Sequence, residues 1–209
     1  MGLTGFEGCT VWITPRSPFA RRVRIALLEN QISFHEKICD VFHPSKDLTE
    51  VNPLARVPTV QLEDGQVLID SHLILQSFYE RAESALYPKD LSERREMYRW
   101  SAVATGLCDK TVEFYIDTLR PKNHQDPEVS EELSQIVGRV LSALETYLSK
   151  SKEGWIVSRF SQADVDMGAA LNYLCLRYSS EWKNRFSQCA RYLEKLNLRP
   201  SFERTQPPA

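Results

Sequence analysis

The chain has 209 residues, a formal net charge of −2 and 42% hydrophobic residues, which is enough for one large domain or two small ones with a real core. A pI near 6.1 gives no reason to expect a nucleic acid or an anionic membrane surface as a partner. No apolar run approaches the roughly 18 residues of a membrane span. Residues 1–8 also lack the basic start and apolar core of a signal peptide. We therefore expect a cytoplasmic protein.

The cysteines and histidines argue against two classes of site. The five cysteines are an odd number, are widely spaced and contain no Cys-x-x-Cys pair. The four histidines show no metal-ligand spacing either. The sequence thus predicts neither a disulfide framework nor a bound metal.

The N-terminal third begins with a predicted strand, Cys9–Ile13, that ends at a turn with two prolines. Ser17 followed by Pro18 is typical of a helix start, because serine is a preferred N-cap and proline is tolerated at the first helical position. In the helix that follows, Phe19 lies on the apolar side and the three arginines 21, 22 and 24 lie off it. A second strand is predicted for residues 32–39, and a short helix within the loop that leads to Asn52.

Residues 57–71 are the most informative stretch. Val60 and Leu62 alternate with polar residues as in a half-buried strand, and residues 67–69 can pair with it across an Asp64-Gly65 turn. Pro58 stands at the strand start, where it cannot donate to a ladder. The Asp-Ser pair at 70–71 then precedes a helical pattern, so it lies at a helix N-terminus, which favours an anion.

Residues 9–82 therefore have the order β-α-β-(α)-β-β-α, which is thioredoxin-like. Residues 83–91 are predicted to be a linker, and residues 92–200 an all-α domain. Its helices are indicated by apolar residues spaced three and four apart, and a capping box at Ser161 and Asp164 opens an apolar helix that we expect to be central. Trp182 to Leu193 is predicted as the last helix, and a coil-rich tail is expected from Pro200.

Three motifs together resemble the cytosolic glutathione S-transferase family. They are the Val-Pro hairpin followed by Asp-Ser at 57–71, the Ser-Pro-Phe run at 17–19, and residues 160–165, which are similar to the family's Ser/Thr-x-x-Asp folding module. The Ser17 motif looks like the serine-type tau, phi, theta and zeta classes and the bacterial transferases. The resemblance implies an N-terminal thioredoxin-like domain followed by an all-helical C-terminal domain, with glutathione as co-substrate. It also implies a small electrophile as the second substrate, and a homodimer.

The resemblance assigns roles to individual residues. It implies that Pro58 is cis, that Val57 pairs its backbone with the cysteinyl part of glutathione, and that Asp70 and Ser71 hold the γ-glutamyl end. Ser17 would donate a hydrogen bond to the sulfur. The family's basic residue for the glycine carboxylate has no clear match, so Lys46 and Arg56 are both candidates.

Simpler roles remain open for several of these residues. Ser17 and the Asp70–Ser71 pair are also good helix caps, and Thr14 is the second candidate donor to the sulfur. Arg16, Phe19, Trp100 and Leu107 are the residues that we expect beside the electrophile. The helical spacing of Trp100 and Leu107 equally predicts core packing, and an exposed loop arginine is usually solvated.

Two other classes of function are compatible with this fold. One is a non-catalytic glutathione-binding or assembly module, because a fold does not fix an activity. The other is a glutathione-dependent reductase or isomerase. The serine at position 17, where a thiol-disulfide reductase would need a cysteine, argues against the reductase.

Overall fold

The computed structural model describes residues 5–81 and 83–208, and these form two compact units. The first unit runs to Tyr87 and includes the segment from Pro200 onward, and the second is Pro88–Arg199. The division between the units falls within residues 83–91, the predicted linker. Residue 82, the predicted end of the first domain, lies outside the described residues.

The first unit contains a four-stranded mixed sheet with helices. The strands are β1 (Cys9–Ile13), β2 (Phe34–Ile38), β3 (Thr59–Gln61) and β4 (Val67–Ile69), and the helices are α1 (Pro18–Glu29), α2 (Lys46–Val51) and α3 (Ser71–Arg81). The spatial order is β2-β1-β3-β4, with β2 parallel to β1 and the other two pairings antiparallel. The thioredoxin-like order predicted from the sequence is confirmed.

The charged residue Glu36, which interrupts the apolar pattern of the edge strand β2, has a partner in the structure. Most of β2 is exposed. The carboxylate of Glu36 accepts two hydrogen bonds from Arg24 of α1, at 2.8 and 3.0 Å. A bidentate pair of this kind has both charge and fixed geometry, so β2 is joined to α1 by an ion pair where the sequence predicted an apolar face.

The arginines of α1 differ most from the sequence prediction. Arg21 and Arg22 are each 3% exposed and Arg24 is 8% exposed, although a polar helix face was predicted there. Arg21 donates to the Thr205 hydroxyl at 3.3 Å and to the Phe202 carbonyl at 3.1 Å. Burial, followed by the charge of Arg24, lowers its pKa to about 10. The partners of Arg21 lie 181 and 184 residues away in sequence, a distance at which helical periodicity cannot reveal them.

That segment corrects the predicted coil-rich tail. Residues Pro200–Arg204 form a short helix, α8, in the first unit, where it packs against α1. Proline is compatible with the first position of a helix because its missing N–H would have no intrahelical partner there. Phe202 is 1% exposed, so one turn of helix is held by burial of an aromatic ring beside Arg21.

The second unit is built from helices joined by loops. Its helices are α4 (Leu91–Thr118), α5 (Pro127–Leu148), α6 (Gln162–Arg177) and α7 (Ser187–Asn197), with 3₁₀ turns at Lys122–His124 and Glu181–Asn184. The prediction of a single helix from Trp182 to Leu193 is wrong in one respect, because Trp182 lies in a separate 3₁₀ turn. No helix in the described ranges combines the length and apolar character needed to cross a bilayer.

Helix α6 occupies the centre of the second unit, as predicted. Every residue from Gln162 to Leu171 is buried, and α6 packs against α4 and α7. Asp164 of its capping box is fully buried and accepts four hydrogen bonds of 2.8 to 3.0 Å. Two come from the N–H and hydroxyl of Ser161, one from the N–H of Ile156 and one from the hydroxyl of Tyr192. This carboxylate thus joins α6 to α7 and to the loop that precedes α6.

Candidate functional site

The pairing register of the sheet brings three separated motifs to one edge. Trp12 of β1 lies opposite Thr59 of β3, and Thr59 lies opposite Ile69 of β4. Because β1 and β4 both run antiparallel to β3, the ends of β1 and β4 meet the start of β3. The turn with Ser17, the Val57–Pro58 pair and the Asp70–Ser71 pair therefore leave the sheet at the same side, where the ends of β1 and β4 lie beside the start of β3. We call this side, made of strand ends, the convergent edge of the sheet.

Ser17 is the N-cap of α1. Its backbone is extended and its Oγ accepts a hydrogen bond from the N–H of Ala20 at 3.2 Å. The residue is half-buried. A hydroxyl that accepts one hydrogen bond can still donate its own proton. The cap geometry also places this hydroxyl beside the positive end of the helix, which favours a negative ligand atom.

Thr14, the second candidate donor, is placed differently. Its Oγ1 donates to the carbonyl of Cys39 at 3.2 Å, which ties the end of β1 to the residue after β2. The proton of that hydroxyl is therefore already engaged within the fold. The geometry favours Ser17 as the donor.

The Val57–Pro58 peptide is cis, which confirms the prediction. Val57 is half-buried and Pro58 is buried. The loop before them is held by two residues that the sequence analysis did not single out. Asn52, 1% exposed, and Thr59, 0% exposed, both hydrogen bond to the carbonyl of Arg56. The sequence shows Asn52 before a proline at the end of a predicted helix, but it does not show the hydrogen-bond partners of Asn52.

Asp70 and Ser71 stand at the start of α3. The Oδ1 of Asp70 accepts hydrogen bonds from the N–H groups of His72 at 2.9 Å and Leu73 at 3.2 Å, so Asp70 caps the helix. The φ of Asp70 is +70°, in the left-handed region that aspartate tolerates better than most residues. Ser71 is 5% exposed. A carboxylate has about four acceptor positions, so the cap leaves capacity for a ligand.

The two candidates for the glycine end of glutathione are both surface cations. Lys46, whose side chain is 86% exposed, lies 3.5 Å from the carboxylate of Glu50 in the same helix. Arg56 is exposed and immediately precedes Val57. Because Arg56 adjoins the convergent edge directly, it is the better placed of the two.

The four residues expected beside the electrophile fall into two groups. In the first unit, Phe19 is half-buried, and the Nε of Arg16 donates to the carbonyl of Pro208 at 3.1 Å. In the second unit, Trp100 and Leu107 are each 1% exposed. The indole of Trp100 donates to Glu96 at 3.0 Å. This burial favours the core-packing role that their spacing also predicted.

Neither a metal site nor a disulfide is found in the described parts of the chain. No group of three or more metal-ligating side chains comes together there. The five cysteines, which all lie in those parts, are free thiols.

Comparison with known proteins gives the family. The sequence pattern described as the N-terminal domain of glutathione S-transferase matches residues 13–87. The Escherichia coli K12 protein named "Uncharacterized GST-like protein YibF" is 28% identical, over 92% of this chain and 95% of that protein. Maleylacetoacetate isomerase from Pseudomonas aeruginosa is 27% identical, over 67% of this chain and 68% of its own length.

A solved structure agrees along most of the chain. The glutathione S-transferase from Methylobacillus flagellatus KT, crystallised with glutathione bound, superposes with a TM-score of 0.89. It is 32% identical, and the match covers 96% of this chain and 100% of that one. Full-length similarity at this level, together with the N-terminal pattern, shows that the chain belongs to the glutathione S-transferase family.

Proposed function

We propose that this protein is a glutathione-dependent transferase that adds the glutathione thiolate to a small, hydrophobic electrophile. The observation that carries the proposal is the convergence of the Ser17 turn, the Val57–Pro58 pair and the Asp70–Ser71 pair at one edge of the sheet. A tripeptide that lies along this edge would meet two helix N-termini and one segment of backbone. The glutathione bound in the Methylobacillus relative supports the choice of ligand.

In this proposal the Ser17 hydroxyl donates to the glutathione sulfur. A thiol reacts as its thiolate, and a free thiol has a pKa of about 8.5, so only a small fraction is reactive at neutral pH. A hydrogen bond to the charged form lowers the pKa, and the N-terminus of α1 acts in the same direction. Ser17 would activate the sulfur without becoming a nucleophile itself.

The Asp70–Ser71 pair would bind the γ-glutamyl end. The carboxylate of Asp70 would meet the ligand's ammonium, and the Ser71 hydroxyl would meet its carboxylate at the N-terminus of α3. Val57 would contribute its backbone to the cysteinyl part. Arg56, with Lys46 as the second candidate, would meet the glycine carboxylate.

Replacing Ser71 by alanine should weaken glutathione binding by roughly 1–3 kcal/mol, because a charged ligand group loses a hydrogen bond. Calorimetric titration would measure the change. Ser92→Ala is a suitable control, since Ser92 also stands in the first turn of a helix, α4. Equal affinities for Ser71→Ala and the wild type would remove Ser71 from the site and leave it a structural role alone.

An isomerase is the second activity to test, because a maleylacetoacetate isomerase is among the similar proteins. Such a reaction would use the same bound thiolate, which adds reversibly to a double bond and then leaves. The two activities therefore share the glutathione site and differ in the second substrate. The residues available for that substrate in the first unit are Arg16 and Phe19.

The proposal also includes a cytoplasmic location, a homodimer and a role in detoxification. Five free cysteines are in keeping with a reducing compartment. Leu73 of α3 is 57% exposed and the β4 edge is half-buried, so the first unit has apolar surface that a second copy could cover. Sedimentation analysis would test the dimer, for which a single species of monomer mass would be the contrary result.

The proposal as a whole is tested by glutathione binding and turnover. Calorimetry with glutathione should show a single site, and a panel of conjugation, isomerisation and peroxide-reduction substrates should show glutathione-dependent turnover. S-methylglutathione is the control, because it should bind without reacting. Binding without any turnover would support the non-catalytic module, and absence of binding would contradict the proposal.

A further inference from the structure

We propose that Asn52 and Thr59 are positioning residues that aim the backbone N–H of Val57 at the bound peptide. This inference rests on the proposed function, because it concerns how the glutathione site is built. Neither side chain would touch the ligand. Their effect would pass through the peptide group between Arg56 and Val57.

The two side chains form a closed hydrogen-bonded ring with one backbone carbonyl. The Nδ2 of Asn52 donates to the Oγ1 of Thr59 at 2.8 Å and to the carbonyl of Arg56 at 3.1 Å. The Oγ1 of Thr59 donates to the same carbonyl at 2.8 Å. The Oδ1 of Asn52 accepts from the N–H of Leu54 at 2.9 Å, which fixes which end of the amide faces the ring.

This ring fixes the direction of the Val57 N–H. Val57–Pro58 is the one cis peptide among the described residues, so the peptide that joins Arg56 to Val57 is trans. In a trans peptide the C=O and N–H bonds point in opposite directions. The ring holds the Arg56 carbonyl towards Asn52 and Thr59, which are almost completely buried. The N–H of Val57 must therefore point away from this cluster.

The ring also lies at the convergent edge. Thr59 belongs to the row Trp12, Thr59 and Ile69 that brings the three motifs together. Its side chain thus fixes the Val57 peptide relative to β1 and β4, the strands that lead to Ser17 and Asp70. A neutral hydrogen bond of this kind contributes modestly to stability, but its loss would let the Val57 peptide rotate and would weaken the pairing with a ligand.

Thr59→Val and Thr59→Ser separate positioning from packing. Valine keeps the shape and loses the hydroxyl, whereas serine keeps the hydroxyl and loses the buried methyl group. We expect Thr59→Val to raise the calorimetric Kd for glutathione about 5- to 10-fold, the effect of one lost hydrogen bond. We expect Thr59→Ser to lower Tm while its Kd stays within about twofold of the wild type.

Thr49→Val is the matched control. The Thr49 hydroxyl also donates to a backbone carbonyl, that of Lys46 at 2.9 Å, but Thr49 is exposed on α2. Its replacement should leave the Kd unchanged. Equal Kd values for Thr59→Val and the wild type would overturn the inference. So would equal weakening in Thr59→Val and Thr59→Ser, because packing would then explain both.

A measurement on the unaltered protein keeps the inference testable if Thr59→Val fails to fold. In ¹⁵N-labelled wild-type protein, saturating glutathione should shift the Val57 amide resonance and slow its hydrogen exchange. An unchanged Val57 amide in protein that binds glutathione would overturn the inference and the contact assigned to Val57, and would leave the proposed glutathione-dependent transfer intact. If calorimetry showed no glutathione binding at all, both would be overturned.

Discussion

Ser17→Ala is expected to raise the apparent pKa of bound glutathione by about one to two units and to cut conjugation at neutral pH by roughly 10- to 100-fold. The reason is that a hydrogen bond to a charged group contributes about 1.5–3 kcal/mol, and one pKa unit corresponds to 1.36 kcal/mol. Glutathione affinity should change little, since the hydroxyl acts chiefly on the thiolate. Ultraviolet absorbance of the bound thiolate as a function of pH would measure the shift.

A control must separate this effect from the loss of a helix cap. Ser45 is the N-cap of α2, and its Oγ accepts from the N–H of Leu48 at 3.4 Å. Ser45→Ala should cost about as much stability as Ser17→Ala, typically about 1 kcal/mol for a lost cap, but should leave the thiol pKa unchanged. If Ser17→Ala kept full activity and an unshifted pH profile, Ser17 would be a cap alone and Thr14 or a backbone N–H would have to activate the sulfur.

Ser17→Cys should change the chemistry as well as the rate. A cysteine at a helix N-terminus has a lowered pKa and can form a mixed disulfide with glutathione. We expect this variant to gain glutathione-dependent thiol transfer at the expense of conjugation. A coupled assay with a disulfide substrate would detect the gain, and the wild type is the comparison.

Asp164→Ala should lower the free energy of unfolding by about 3–5 kcal/mol, because it leaves four buried donor groups without their acceptor. Four hydrogen bonds, among them those from Ile156 and Tyr192, end on this one carboxylate. Asp126→Ala is the matched control, since Asp126 is an exposed N-cap of α5. Its loss should cost about 1 kcal/mol. Similar losses in the two variants, measured by denaturant titration, would contradict a central structural role for Asp164.

Titration of the Asp164 carboxyl should make the stability of the protein depend on pH. Burial raises the pKa of Asp164 to about 6, and its hydrogen bonds act in the opposite direction. Because the folded pKa lies above the unfolded value of about 3.8, the folded state binds a proton more tightly. The contribution of this titration to stability is therefore complete below about pH 3.8 and is lost as the pH rises through 6. The stability advantage of the wild type over Asp164→Asn should grow as the pH falls from 7 to 4, and a constant difference would be the contrary result.

The sequence predicted those parts of the fold that depend on local patterns. Ser17 and Ser161 as helix caps and the buried helix α6 followed from residues close together in the chain. The cis bond before Pro58 was instead implied by the family resemblance. Local patterns suffice there because the partners of a cap or a turn lie within a few residues.

The features that the sequence did not predict depend on distant partners. Arg21 is buried because α8 covers it, and Glu36 is accommodated in β2 because Arg24 pairs with it. The ring at Thr59 differs from these, because its members are only three to seven residues apart, but it closes only when the loop from Asn52 has folded. Helical and strand periodicity report which face of an element is apolar, but they do not report which polar residues on the other face will find partners.

We propose that one edge of the sheet binds glutathione with its sulfur at Ser17. A crystal structure of the protein with glutathione tests it most directly. We expect the sulfur within hydrogen-bonding distance of the Ser17 Oγ, the cysteinyl backbone paired with Val57, and the γ-glutamyl group at Asp70 and Ser71. Glutathione bound elsewhere, or bound at this edge with its sulfur out of reach of Ser17, would contradict the account.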